Sequence, residues 1–228
     1  MLIPLLMAGM FAAGPQAASP TPLDAARDRQ DRPALEKLMN ESCGKAAGAQ
    51  GDFDAQMRCA QAASYAAEVD QEQRDKKAAQ QAAQRGVQAA LKAVALKPQS
   101  GEAYRLLGML YGQSVVDLVS GLSNGPKAKD AINKAVSLAP QSSGVYVARG
   151  VGNYYLPAQL GGGAETAIAD FRKAIELDAR NTDAYLWLGL ALRKENKDAE
   201  ARQAFSKALQ LDPNRVWAKQ QLDKTPNK

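Results

Sequence analysis

The sequence predicts an all-α chain, a solenoid of antiparallel helix pairs, on three observations. A seven-residue phrase recurs four times, as KAVALKP at 92–98, KAVSLAP at 134–140, KAIELDA at 173–179 and KALQLDP at 207–213. From phrase end to phrase end the spacings are 42, 39 and 34 residues, so a unit of 34 recurs with insertions of 8 and 5 in the two earlier intervals; a period in this range marks stacked supersecondary units. Aromatic residues make up only 6% of the 228, and no stretch alternates apolar and polar residues for long, so strands have little support.

Each phrase reads as the end of a helix. Its alanine (Ala93, Ala135, Ala174, Ala208) leaves room for a neighbouring helix, and its apolar residues continue a buried stripe. The closing proline of three of the four cannot continue a helix and biases the residue before it toward extended geometry.

Taken in order, residues 1–14 carry no charged side chain. With Ala12, Ala13, Ala17 and Ala18 ahead of a polar, proline-broken stretch, they predict a secretory signal peptide over 1–20, though one without basic leading residues. The stretch is short for a bilayer crossing, and no integral membrane span is expected once the signal is removed. Residues 24–98 are expected to form N-terminal helical hairpins with a divergent repeat. One helix is expected from 24 to about 47, where Ala34, Leu35, Leu38 and Met39 have helical spacing, then a loop at 48–51 and a second helix over about 54–69. Cys43 and Cys59 each lie eight residues from Gly51. Antiparallel helices would bring them to similar height, as a disulfide or as two small buried thiols. A long alanine-rich helix follows over 78–96, with Gly86 where later units have Ala128, Ala167 and Ala201.

The unit from 101 carries the eight-residue excess. Its first helix is expected to run through Val115, Val116, Leu118 and Val119 until 120–126 breaks it, with a return helix over 128–138. The unit from 143 carries the five-residue excess in LPAQLGGG, where Pro157 ends the first helix and the triple glycine frees the turn. Both insertions fall between the two helices of a unit and should emerge on one edge. The stretch 216–228 is expected to hold a short capping helix with Val216 and Trp217, because a terminal unit has nothing stacked beyond it.

The last unit, 182–215, carries Tyr185, Leu188, Gly189, Leu192, Ala201, Phe205, Ala208 and Pro213 in register. Tyr104, Leu107, Gly108 and Tyr111 open the unit from 101; Tyr146 and Gly150 open the next, with Arg149 and Asn153 where Leu and a large residue are usual. In these residues the chain resembles the tetratricopeptide repeat (TPR) family from about residue 54 onward, with three repeats over 101–215, two of them with insertions. The resemblance implies a right-handed α-solenoid whose first helices line a concave groove for a peptide or protein segment. Carried over by register, the partner-binding positions are Arg105 and Met109, then Val147, Val151 and Tyr154, then Leu186, Leu190 and Arg193. Each is as apt to pack on the adjacent helix as to meet a partner. The Lys and Asn set with which some members clamp a C-terminal carboxylate is not reproduced, since Met109, Ala148 and Asp183 stand there.

The chain has no histidine, which removes the Ser/His and Cys/His nucleophile arrangements and the commonest metal ligand. Two cysteines do not make a zinc site, and glycines 161–163 lack the Lys-Ser/Thr of a phosphate loop. The net charge of +5 comes from Lys and Arg interspersed with Asp and Glu, which reads as a solvated face; nucleic acid would need a basic stripe. The expectation is a non-catalytic scaffold of the cell envelope, with no cofactor or metal, that binds another protein or peptide and not nucleic acid. The alternative is a periplasmic solute- or lipid-binding accessory protein of a transport system, with a pocket walled by the insertions. A buried cluster of carboxylates would point instead to catalysis.

Overall fold

The computed structural model describes residues 20–227; residues 1–19, on which the signal-peptide expectation rests, lie outside them. Eleven α-helices follow one another among the described residues: α1 (Pro22–Asp28), α2 (Arg32–Gly48), α3 (Phe53–Glu72), α4 (Lys76–Leu96), α5 (Gly101–Gln113), α6 (Leu118–Leu138), α7 (Ser143–Tyr155), α8 (Ala164–Leu177), α9 (Thr182–Lys194), α10 (Asp198–Leu211) and α11 (Val216–Asp223). Successive helices pair as α3 with α4, α5 with α6, α7 with α8 and α9 with α10, and the pairs stack along the chain.

The repeated phrase behaves as its chemistry requires. All four of its helices end at its last leucine, Leu96, Leu138, Leu177 and Leu211, and Ala93, Ala135, Ala174 and Ala208 are each fully buried. Helix starts are fixed by side-chain caps: Asp31, Asp52, Asp75, Ser100 and Asn181 each accept an amide hydrogen of the first turn. Two departures from the repeat pattern compensate one another, because Arg149 and Asn153 both donate to the buried Asp170, at 2.9 and 2.8 Å.

The structure departs from the sequence reading in two places. The helix expected from 24 to 47 is split into α1 and α2 by a turn in which Gln30 takes φ 54°, because Thr21 and Asp24 form one capping box and Asp31 caps a second start. The excess of the second unit lengthens its second helix instead of its first. Asp117 and Ser120 form a capping box that starts α6 at Leu118, eight residues before Pro126, which is absorbed within the helix; a reciprocal cap outweighed the proline as a stop signal. The third unit follows the reading: α7 stops before Pro157, a short 3-10 turn spans Ala158–Leu160, and Gly161 and Gly163 take φ 85° and 102°.

Cys43 of α2 and Cys59 of α3 are joined by a disulfide with Cα atoms 4.5 Å apart. The buried apolar residues fall into two clusters, one running from Ala26 to Ala131 and the other from Val147 to Ala218. The seam between them lies at α6 and α7.

Candidate interaction site in the concave bore

The first helices of the units, α3, α5, α7 and α9, converge on the inner side of the solenoid, and the chain itself occupies part of the space they enclose. Arg215, in the turn before α11, is fully buried. Its guanidinium donates to Glu68 and to Glu72 of α3, the latter at 2.7 Å, across more than 140 residues of sequence. Arg27 of α1 donates to its neighbour Asp28 and, at 2.8 Å, to Asp183 of α9, and lies 4.6 Å over the Tyr65 ring. Gln30 donates to Glu72 at 2.7 Å and accepts from Gln220 of α11 at 3.0 Å. The first and last of the described helices are thus drawn together through side chains that the interspersed charge pattern had suggested were solvated.

The electrostatics follow from this burial. Burial pushes the Glu72 carboxyl up to about 7 against the pull of Arg215, and the Glu68 charge beside it adds to the rise. Burial likewise raises Asp28 to about 6 despite Arg27. At Asp183 burial works the same way but is outweighed: Arg27 and Arg215 hold its carboxyl below the usual range. Among the described residues Asp183 Oδ1 and Arg215 Nε have no hydrogen-bond partner, and they face each other at 3.9 Å.

The positions carried over by register are placed as follows. Arg105 leans on Gly144 and is held by Glu102 and Gln61, with its guanidinium toward the bore. Met109 is half-buried on the same helix. Val147, Leu186 and Leu190 are buried, and Val151 packs against the C-terminal core. Tyr154 meets Trp187 edge-on at 5.7 Å beneath Lys194. Arg193 bonds Gln221 at 2.7 Å and so fastens α11. Tyr155, next to the residue that register selects, stands 67% exposed and 6.0 Å from Trp187. Arg27, Glu68, Glu72 and Arg215 escaped sequence reading because no local signal marks them; Asp183 alone stood at a groove position.

In the two insertions Leu118, Val119, Leu122 and Leu160 are exposed. Two clefts, of about 670 and 550 Å³, lie elsewhere: the first between α2, α3 and α4 around Met39 and Arg85, the second along α10. No described helix is long and apolar enough to cross a membrane, and among the described residues no group of side chains is arranged to hold a metal ion.

Stacked helix pairs around an inner wall built from their first helices define a helical-repeat protein. Residues 182–215 match the tetratricopeptide repeat family, and residues 161–194 match a TPR repeat description. Tetratricopeptide repeats are thus matched over residues 161–215 of the chain. No curated protein sequence matches it. Among solved structures it is similar to TTC0263, a thermophilic TPR protein of Thermus thermophilus, at 18% identity over 82% of this chain and 98% of that one, with a TM-score of 0.54. It is also similar to a chain of the APC/C hetero-tetramer Cut9-Hcn1, at 16% identity over 88% of this chain and 41% of that one, with a TM-score of 0.51. At these identities the likeness is one of fold.

Proposed function

We propose that the chain is a non-catalytic scaffold of the cell envelope that receives an extended or helical segment of another protein on its concave face. The observation that carries this reading is the inner wall, where Met109 and Tyr155 remain accessible beside Arg105 while the C-terminal positions are packed. An aromatic ring, a thioether and a guanidinium on adjacent rigid helices suit an apolar side chain with a carboxylate or carbonyl beside it. The buried carboxylates do not favour catalysis: Asp28, Glu68, Glu72 and Asp183 each hold an arginine, and Glu72 has a side chain only 2% exposed, leaving no room for a substrate. The apolar side chains of the insertions, Leu118, Val119, Leu122 and Leu160, are exposed to solvent, which favours the scaffold over a solute- or lipid-binding accessory with a pocket walled by them.

Export is part of the proposal. It is supported by the apolar, small-residue stretch over 1–20 and by the Cys43 to Cys59 bridge, since disulfides persist in oxidising compartments. A photo-reactive residue at Tyr155, compared with one at the exposed Gln203 on α10, tests both points in the native host. The proposal expects one envelope protein captured from position 155 and not from 203, on a chain lacking about its first twenty residues. Equal capture from both positions, or a full-length cytoplasmic chain, would overturn it.

A further inference from the structure

We propose that α1 and the turn at Arg215 form a gate across the concave bore, closed by their buried charge cluster and opening as pH rises. Four features make this contact separable from the solenoid. The two apolar halves meet where α5 and α6 pack on α7, and they are joined besides by polar side chains: Arg27 to Asp183, Arg215 to Glu68 and Glu72, and Gln30 to Gln220. Helix α1 has only seven residues and contributes Ala26 as its one buried apolar residue. It is tethered to α2 by a turn whose Gln30 already sits in the left-handed region. Within the closed contact, Arg215 Nε and Asp183 Oδ1 have no hydrogen-bond partner among the described residues and meet only at ion-pair distance, 3.9 Å. Buried ion pairs recover little net free energy beyond their desolvation cost, so a contact made of them is poised where an apolar one would be locked.

The sign of the pH response follows from the charges that face one another. Helix α1 contributes Asp24, Arg27 and Asp28; α3 contributes Tyr65, Glu68 and Glu72. From the other side come Asp183 of α9, with Asp212 and Arg215 before α11, while Arg105 of α5 is engaged by its own Glu102 and Tyr155 of α7 stays neutral near pH 7. Four central carboxylates (Asp28, Glu68, Glu72, Asp183) thus share two arginines, Arg27 and Arg215. The closed form relieves the surplus by keeping protons on Glu72 and Asp28, whose carboxyls sit near 7 and 6 when closed and return to ordinary values when exposed. Raised carboxyl values mean that closure takes up protons. Its stabilisation is therefore full at acid pH and is lost as pH rises through about 6 to 7. Glu72 alone, moving between about 7 and its ordinary 4.5, shifts the open-to-closed ratio roughly 70-fold between pH 5 and pH 8. The gate does not rest on the proposed interaction role, since Met109 and Tyr155 are accessible with the gate closed.

The test is a distance measurement that needs no partner. Spin labels on Arg29→Cys and Lys219→Cys, both exposed and outside the network, react selectively because the native cysteines are joined. The expected result is one short distance at pH 5 and a growing population of longer distances at pH 8, with a much smaller change in Glu72→Gln, where only Asp28 still titrates. Superimposable distributions for the wild-type network at the two pH values, or a Glu72→Gln protein that responds to pH as the wild type does, would overturn the gate. Loss of partner capture at Tyr155 with the pH response intact would bear on the interaction role alone.

Discussion

Replacing Gly189 with alanine tests how closely the two helices of the last unit pack. A Cβ built on Gly189 would lie 2.6, 2.7 and 2.8 Å from three atoms of the Phe205 ring, all inside van der Waals contact. The ring has no exposed surface and lies beneath the Arg193 guanidinium, so it cannot swing clear as a long flexible side chain would. Overpacking of this kind costs about 1 to 3 kcal/mol, and contact with three ring atoms argues for the upper half of that range. Alanine recovers about 1 kcal/mol of helix propensity, leaving a net loss of about 1 to 2 kcal/mol. Gly152 in α7 is the matched control, since nothing lies within 4 Å of a Cβ there; Gly152→Ala should gain up to about 1 kcal/mol. Urea unfolding followed by circular dichroism should therefore place the midpoints of the two variants on opposite sides of the wild type. A Gly189→Ala protein as stable as Gly152→Ala would refute the packing described for α9 on α10.

Other substitutions probe other parts of the fold. Replacing Cys43 and Cys59 together by alanine opens a bridge with a sequence separation of 16 and should cost about 3 kcal/mol, read as a lower unfolding midpoint that reductant no longer changes. Arg215→Met removes the cation that faces Glu68 and Glu72 and should lower the unfolding midpoint at pH 5, where the contact is closed, with a smaller loss at pH 8, where the gate is opening. Pro126→Ala restores a donor within α6 and should stabilise the fold by about 1 kcal/mol or more, read as a raised unfolding midpoint.

The parts of the fold legible in the sequence are those set by contacts within one unit. The alanines of the repeated phrase had to be small because a second helix crosses there, and the leucine before each cap closes its helix whether or not a proline follows, as Leu177 before Asp178 shows. Helix boundaries failed where two local signals competed, as Asp117 with Ser120 did against Pro126. The charge cluster was illegible for a different reason. Arg215 reaches Glu68 and Glu72 because small rotations between successive pairs accumulate along the stack, and no window of sequence records their sum. Register likewise assigned Leu186 and Leu190 to the inner face but could not show that neighbouring helices cover them, or that Tyr155, one residue beyond Tyr154, is the ring left exposed.

The central claim is that the inner wall at α5 and α7 receives a partner segment. Its most direct test is the affinity of the protein captured at Tyr155, measured by titration calorimetry against the wild type and against Tyr155→Ala, Met109→Ala and Gln203→Ala. The account predicts at least a tenfold loss for Tyr155→Ala, a measurable loss for Met109→Ala and no change for Gln203→Ala. Unchanged affinity at 155 and 109 with a loss at 203 would contradict it and move the interaction to the outer face of α10.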